Sequence, residues 1–147
     1  MKKLLLIGLL LSSITTVSWS QQYSTAIGIK GGYPSLGGID IKHFLSSGLA
    51  VEGTIGGYSN TLLISAMLEY QKSLPEPTGL DWYLGVGPIL GVSSGSVVLS
   101  ANGVIGVDYT FQDFPLNISL DTGPIISLSP SVAIGWGGGL AIRYALK

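Results

Sequence analysis

The chain has 147 residues, a length for one domain, with seven Lys+Arg against eight Asp+Glu and no cysteine. Charged residues make up only 10% of it, against about 25% in ordinary soluble domains, and its mean hydropathy is +0.53. These numbers exclude a nucleic-acid binder built on a basic patch, a disulfide scaffold, and a lipoprotein anchored through a cysteine.

The N-terminus reads as an export signal. Lys2 and Lys3 form a positive n-region, Leu4 to Val17 an apolar core, and Ser18-Trp19-Ser20 a small-residue cleavage site ahead of Gln21. Residues 1–20 are therefore expected to be a cleaved signal peptide, too short and wrongly flanked for a transmembrane helix. Its removal leaves five basic against eight acidic side chains in residues 21–147. No later stretch reaches 18 consecutive apolar residues, so spanning helices do not explain the hydropathy. In an exported chain, a β-barrel is the other structure a bilayer tolerates.

Residues 21–147 alternate at period 2 and predict eight strands, over 23–31, 38–45, 48–58, 61–72, 80–92, 96–111, 115–127 and 131–146. In the fourth, Leu62, Ile64, Ala66, Leu68 and Tyr70 share one face, and Leu63, Ser65, Met67, Glu69 and Gln71 the other. In the eighth, Val132, Ile134, Trp136, Leu140, Ile142 and Tyr144 oppose Ala133, Gly135, Gly137, Gly139, Ala141 and Arg143. Apart from Lys72 at the very end of the fourth, nine charged residues fall within strands: Lys30, Asp40, Lys42, Glu52, Glu69, Asp81, Asp108, Asp121 and Arg143. Each lies on the face opposite the large aliphatic residues.

A soluble ligand-carrying barrel would turn its large apolar residues inward and a densely charged face to water. Here the polar face is mostly Gly, Ala, Ser and Asn with sparse charges, which suits a narrow interior. The aliphatic face suits lipid, where a Lys or Arg at the midplane costs about 2–4 kcal/mol. The expected fold is thus all-β: an eight-stranded antiparallel up-and-down transmembrane β-barrel, with a polar lumen and both termini at the periplasmic end. The turns near 45–48, 72–80 and 112–115 then face the periplasm, and those near 32–37, 58–61, 92–96 and 127–131 face outward. Tyr70, Trp82, Tyr109, Phe111 and Tyr144 form the periplasmic aromatic girdle, with Tyr33 and Tyr58 at the outer interface.

Gly87-Pro88-Ile89-Leu90 resembles Gly123-Pro124-Ile125-Ile126, though the match is too short to establish a repeat. Proline has no N–H, so each is expected to mark a bulge or the upper end of regular pairing. Gly106-Val107-Asp108-Tyr109-Thr110-Phe111, Phe114 to Asp121, and the ending Gly139 to Tyr144 carry a further resemblance. Over these segments the chain resembles the small outer-membrane β-barrels of Gram-negative bacteria, the OmpX-like and OmpA-like group, and short barrels of Bacteroidota. The resemblance implies residence in the outer membrane, contact with its lipid, and insertion by the barrel-assembly machinery. That machinery usually reads a terminal aromatic residue; here Tyr144 is followed by Ala145-Leu146-Lys147, a departure that weakens the signal. The family carries no agreed catalytic residues.

The search for chemistry returns little. His43, the only histidine, has Asp40, Ser46 and Ser47 nearby but no nucleophile elbow or other diagnostic spacing. With no cysteine to join it, no metal site is expected, nor any cofactor. The glycine pairs and the Gly137-Gly138-Gly139 run precede no helix and lack the P-loop Lys-Ser/Thr, so they do not cradle phosphate. Lys30, Lys42, Glu52, Glu69, Asp108, Asp121 and Arg143 read as an interior ion-paired plug rather than a cation path, because eight strands enclose a lumen that side chains fill. The expectation is a non-enzymatic, monomeric outer-membrane barrel with a structural or surface-interaction role. Two alternatives are an outer-membrane lipid-modifying enzyme and a soluble exported barrel binding an apolar ligand.

Overall fold

The computed structural model describes residues 23–146; the signal peptide expected over residues 1–20 and the terminal Lys147 lie outside the described residues. Eight strands follow one another: β1 (Thr25–Tyr33), β2 (Gly37–Ser46), β3 (Leu49–Tyr58), β4 (Thr61–Ser73), β5 (Leu80–Ser93), β6 (Ser96–Thr110), β7 (Leu116–Ser129) and β8 (Ala133–Leu146). Each pairs antiparallel with its neighbours in sequence, and β1 closes on β8 from Thr25↔Leu146 to Tyr33↔Gly138, giving a closed up-and-down barrel. Closure leaves no unpaired edge. One end of the barrel, here the terminal end, holds the start of β1, the end of β8 and the connections 47–48, 74–79 and 111–115. The distal end holds 34–36, 59–60, 94–95 and 130–132.

The turns explain why the strands stop where they do. Three hairpins have two-residue loops, which demand left-handed backbone to match the twist of the flanking strands. Gly48 (φ 80°), Ser59 (φ 54°) and Gly95 (φ 77°) supply it. β1 begins two residues later than the periodicity predicts, because the chain before it packs into the lumen. Tyr23 is buried at the terminal end, edge-on to Phe44 at 5.2 Å and against Ala26, Ala50 and Ala145.

Period 2 sorts the side chains cleanly. Ile29, Ile39, Val86, Ile105 and Leu120 are all more than half exposed on the outer wall, while Asp40, Lys42, Glu69 and Asp108 are fully buried in the lumen. That is the reverse of a soluble protein's arrangement.

The two Gly-Pro steps do something other than expected. Pairing between β4 and β5 skips only Ala66 with Pro88 and Met67 with Gly87, then resumes in the same register. Pairing between β6 and β7 likewise skips Gly103 with Pro124 and Val104 with Gly123. Neither proline makes a bulge or ends its strand; the register shifts lie at Phe44/Ser46 and Leu99/Ser100 instead. Both skipped pairs in each ladder depend on the one N–H that proline lacks, so each step deletes a single hydrogen bond. The carbonyls left over are those of Ala66 and Gly103. A Cβ on Gly87 would stand 1.8 Å from the Ala66 oxygen, and one on Gly123 1.8 Å from the Gly103 oxygen. The glycine hydrogen therefore points at the orphaned carbonyl, a Cα–H···O contact where the N–H···O bond is missing. The sequence similarity between the two steps is a structural similarity as well.

Candidate functional site

The strands bring nine charged side chains into the terminal half and middle of the lumen. Alternation aims each inward, and closure of the barrel then decides which of them meet. Arg143 on β8 is the hub. Its Nε donates to Asp40 on β2 and one terminal nitrogen to Glu52 on β3. The other terminal nitrogen donates to Asn117 Oδ1 at 3.0 Å and Ser119 Oγ at 2.9 Å on β7, with Asp108 Oδ2 at 3.7 Å. Lys30 on β1 bridges Glu52 (2.6 Å) and Asp121 (2.8 Å). Lys42 on β2 reaches Glu69 (2.6 Å) and Asp108 (3.4 Å), with its Nζ 4.4 Å from the centroid of the Tyr83 ring.

Neutral groups complete the network. Tyr83 donates to Asp121 at 2.7 Å, Thr54 to Asp40 at 2.7 Å, Asn117 to Asp108 at 2.5 Å, and Gln71 to Asp81 at 2.6 Å. Tyr23 closes the terminal end, its hydroxyl 3.4 Å from Asp108. Burial, reinforced by the neighbouring Asp108 carboxylate, holds the Tyr23 phenol well above its ordinary pKa, so it stays a donor. Buried charges are tolerated only when paired and hydrogen-bonded, and most of these are. Six carboxylates nevertheless face three cations. Glu69 Oε1, Gln71 Oε1 and Asp81 Oδ1 meet no donor among the described residues, and Glu69 Oε2 touches Lys42 as an ion pair without directed hydrogen-bond geometry.

All seven residues expected in the interior network, Lys30, Lys42, Glu52, Glu69, Asp108, Asp121 and Arg143, thus sit in the lumen and contact one another there. Asp40 and Asp81 join them. Sequence reasoning did not single out Tyr83, Asn117 or Tyr23. For Tyr83 a signal existed, since alternation with the outward Trp82 and Leu84 turns it inside, where it is fully buried.

The five expected girdle residues all lie on the outer wall near the terminal end. Tyr70 meets Trp82 edge-on at 6.0 Å, Tyr109 meets Phe111 at 4.9 Å, and Tyr144 stands exposed on β8. Phe114 extends the group, stacked on Phe111 at 4.7 Å. Tyr33 and Tyr58 are exposed at the distal end.

His43 and Asp40 lie on opposite sides of the wall. Asp40 is held in the lumen by Arg143 and Thr54, while His43 is exposed outside with its Nδ1 2.8 Å from Thr25 Oγ1. The one acid–histidine pair the sequence offered for hydrolytic chemistry therefore does not form. No group of ligating residues suited to a metal ion occurs among the described residues. No family model matches this chain, and neither the curated proteins nor the solved structures yield a significant match.

Proposed function

We propose that the protein is a transmembrane barrel of the bacterial outer membrane, non-enzymatic and monomeric, with a structural or surface-interaction role and a lumen plugged by side chains. One observation carries the reading: large aliphatic residues cover the outer wall while nine of the ten strand charges point inward, the tenth, Lys72, standing exposed at the terminal end of β4. In water such a wall is a contiguous apolar surface far beyond the few hundred Å² a soluble monomer exposes. In a bilayer the same wall is solvated by lipid, and the aromatic residues at each end meet the headgroup region.

Strands of 9–15 residues reach or exceed the roughly 9–11 that a tilted strand needs to cross the hydrocarbon core. The N-terminal pattern Lys2, Lys3 and Leu4 to Val17 supports export, and the resemblance to OmpX-like and OmpA-like barrels supports the outer membrane and its assembly machinery. The filled cross-section at Lys42, Tyr83 and Arg143 supports a plug over a channel. The distal turns are short, which favours a compact surface over a large receptor.

Fractionation of expressing cells, followed by electrophoresis of the outer-membrane fraction with and without boiling, tests the proposal. The expected result is a membrane-bound band whose mobility changes on boiling. A protein recovered in solution without detergent would reverse the assignment and make the barrel an exported soluble one.

A further inference from the structure

The lumen has two unlike halves. Every charge of the network lies at or below the level of Lys30, Glu52 and Asp121; among the described residues the distal third of the barrel and its four turns carry none. The inward positions there are divided by strand. On β8, β1, β2 and β3 they include Ala133, Gly135, Gly137, Gly139, Gly32, Gly38 and Gly56, with Tyr58 at the rim. On β4 to β7 they include Leu63, Ile89, Val98 and Ile125. An eight-stranded lumen is ordinarily filled by side chains; here Ile125 and Lys30 lie over Gly137 and Gly139, and the opening stands in front of Gly135, where a Cβ would meet only the Ile125 carbonyl at 4.0 Å.

The space is visible. A recess of about 360 Å³ opens at the distal mouth between Leu63, Ile89, Val98, Ile125 and Gly135. It shares Leu63 and Ile89 with a deeper cavity of about 70 Å³ that runs past Met67 and Val104 to Lys30. For scale, an apolar cavity of about 150 Å³ stays dry and takes up benzene. From Leu63 to Met67 the wall runs four residues along β4, about 14 Å at ~3.4 Å per residue, which a strand tilt of about 35–45° turns into roughly 10 Å of depth.

We infer that this recess is a binding site for a single-chain amphiphile, inserted tail-first from the distal mouth and bearing an uncharged head. The depth and narrowness fit one unbranched chain rather than a compact molecule. The floor cannot take a charged end, because Lys30 already bridges Glu52 and Asp121. The rim offers hydroxyls, with Ser100 and Ser127 3.3 Å apart and Thr61 lining the same recess. It offers no counter-ion, and an unpaired charge buried there would be costly. The inference rests on the interior of the closed barrel and stands whether or not that barrel spans a membrane.

The test is photolabelling of the purified protein in bilayer nanodiscs with a long-chain alcohol carrying a diazirine near its methyl end, mapped by mass spectrometry. Side chains alternate, so adducts on Leu63, Ile89 and Ile125 report the recess, whereas adducts on Leu62, Ile64 and Leu90 report surrounding lipid. Gly135 gives the discriminating variants: a Cβ there meets only the Ile125 carbonyl, at 4.0 Å, and the backbone is not left-handed. Gly135→Ala should label as the parent does. Gly135→Phe, verified as folded by its β-sheet circular dichroism, should lose inward labelling at least about tenfold, which corresponds to ~1.4 kcal/mol of lost binding. If Gly135→Phe does not fold, Ser127→Phe on the opposing strand is read the same way. Adducts confined to outward positions, or inward adducts that survive the Phe variant, would overturn the inference. The carboxylate with the same chain labelling the recess as well as the alcohol does would overturn the assignment of an uncharged head. Cell fractionation decides the membrane reading separately, so failure of one is distinguishable from failure of the other.

Discussion

Replacing Arg143 with Met removes the charge at the centre of the lumen while keeping much of the aliphatic volume. The consequence can be followed partner by partner. Glu52 loses the guanidinium but keeps Lys30 at 2.6 Å. Asn117 Oδ1 and Ser119 Oγ lose a donor. Asp40 fares worst: its remaining bond is from the Thr54 hydroxyl at 2.7 Å, and its side chain has no access to solvent. Removing one partner of a buried ion pair typically costs about 3–5 kcal/mol, because the other charge is stranded. Against a total stability of about 5–15 kcal/mol for a folded domain, that loss is large. Equilibrium urea unfolding in lipid vesicles, followed by tryptophan fluorescence, should show a lower midpoint for Arg143→Met with an unchanged slope. Adding Asp40→Asn should recover stability relative to Arg143→Met alone, with a coupling of about 1–3 kcal/mol. A single variant within about 0.5 kcal/mol of the parent, the range of an ordinary surface substitution, would refute the picture of a dry, interlocked lumen.

On the proposed membrane reading, Ile64→Lys places an ammonium against lipid and should impair assembly by about 2–4 kcal/mol, whereas Ser65→Lys at the neighbouring inward position should assemble measurably better; equal yields of folded band on unboiled gels would contradict the assignment of faces. Gly87→Ala and Gly123→Ala force a methyl to 1.8 Å from a backbone carbonyl, so each should cost at least about 1–3 kcal/mol of overpacking in the same urea assay, and tolerance of both would disprove the close approach at the Gly-Pro steps. Tyr83→Phe deletes the 2.7 Å bond to Asp121 but leaves the ring under Lys42, so the loss should be that of one hydrogen bond to a charged group, about 1.5–3 kcal/mol. A destabilisation as large as that of Arg143→Met would mean that Tyr83 carries more of the network than its one bond.

Much of this architecture was legible in the residues alone. Alternation depends only on the geometry of an extended chain, so the inward positions of Glu69 and Gln71 and the outward positions of Leu68 and Tyr70 followed from order along β4. Strand count and hairpin positions followed from where the alternation runs and breaks, as near 45–48 and 92–96. The start of β1 was missed because Tyr23 is held by tertiary contacts with Phe44 and Asp108, which no local pattern encodes. The Gly-Pro steps were misjudged for a related reason. Proline removes one donor, but whether a ladder then bulges or carries on depends on the neighbouring strand, and glycine lets the two backbones stay close.

Sequence by itself determined the faces of the wall, the count of strands, and the set of charges that had to be buried together. Only the closed barrel decided which of those charges pair. Lys42 and Glu52 stand directly opposite each other in the β2–β3 register, yet each finds its ion-pair partners elsewhere, Lys42 with Glu69 and Asp108, Glu52 with Lys30 and Arg143. Arg143 meets Asp40 across 103 residues of chain. Such contacts are set by the stagger and curvature with which eight strands close on themselves, and the same closure sets a wall of glycines against aliphatic side chains and leaves the distal recess between them.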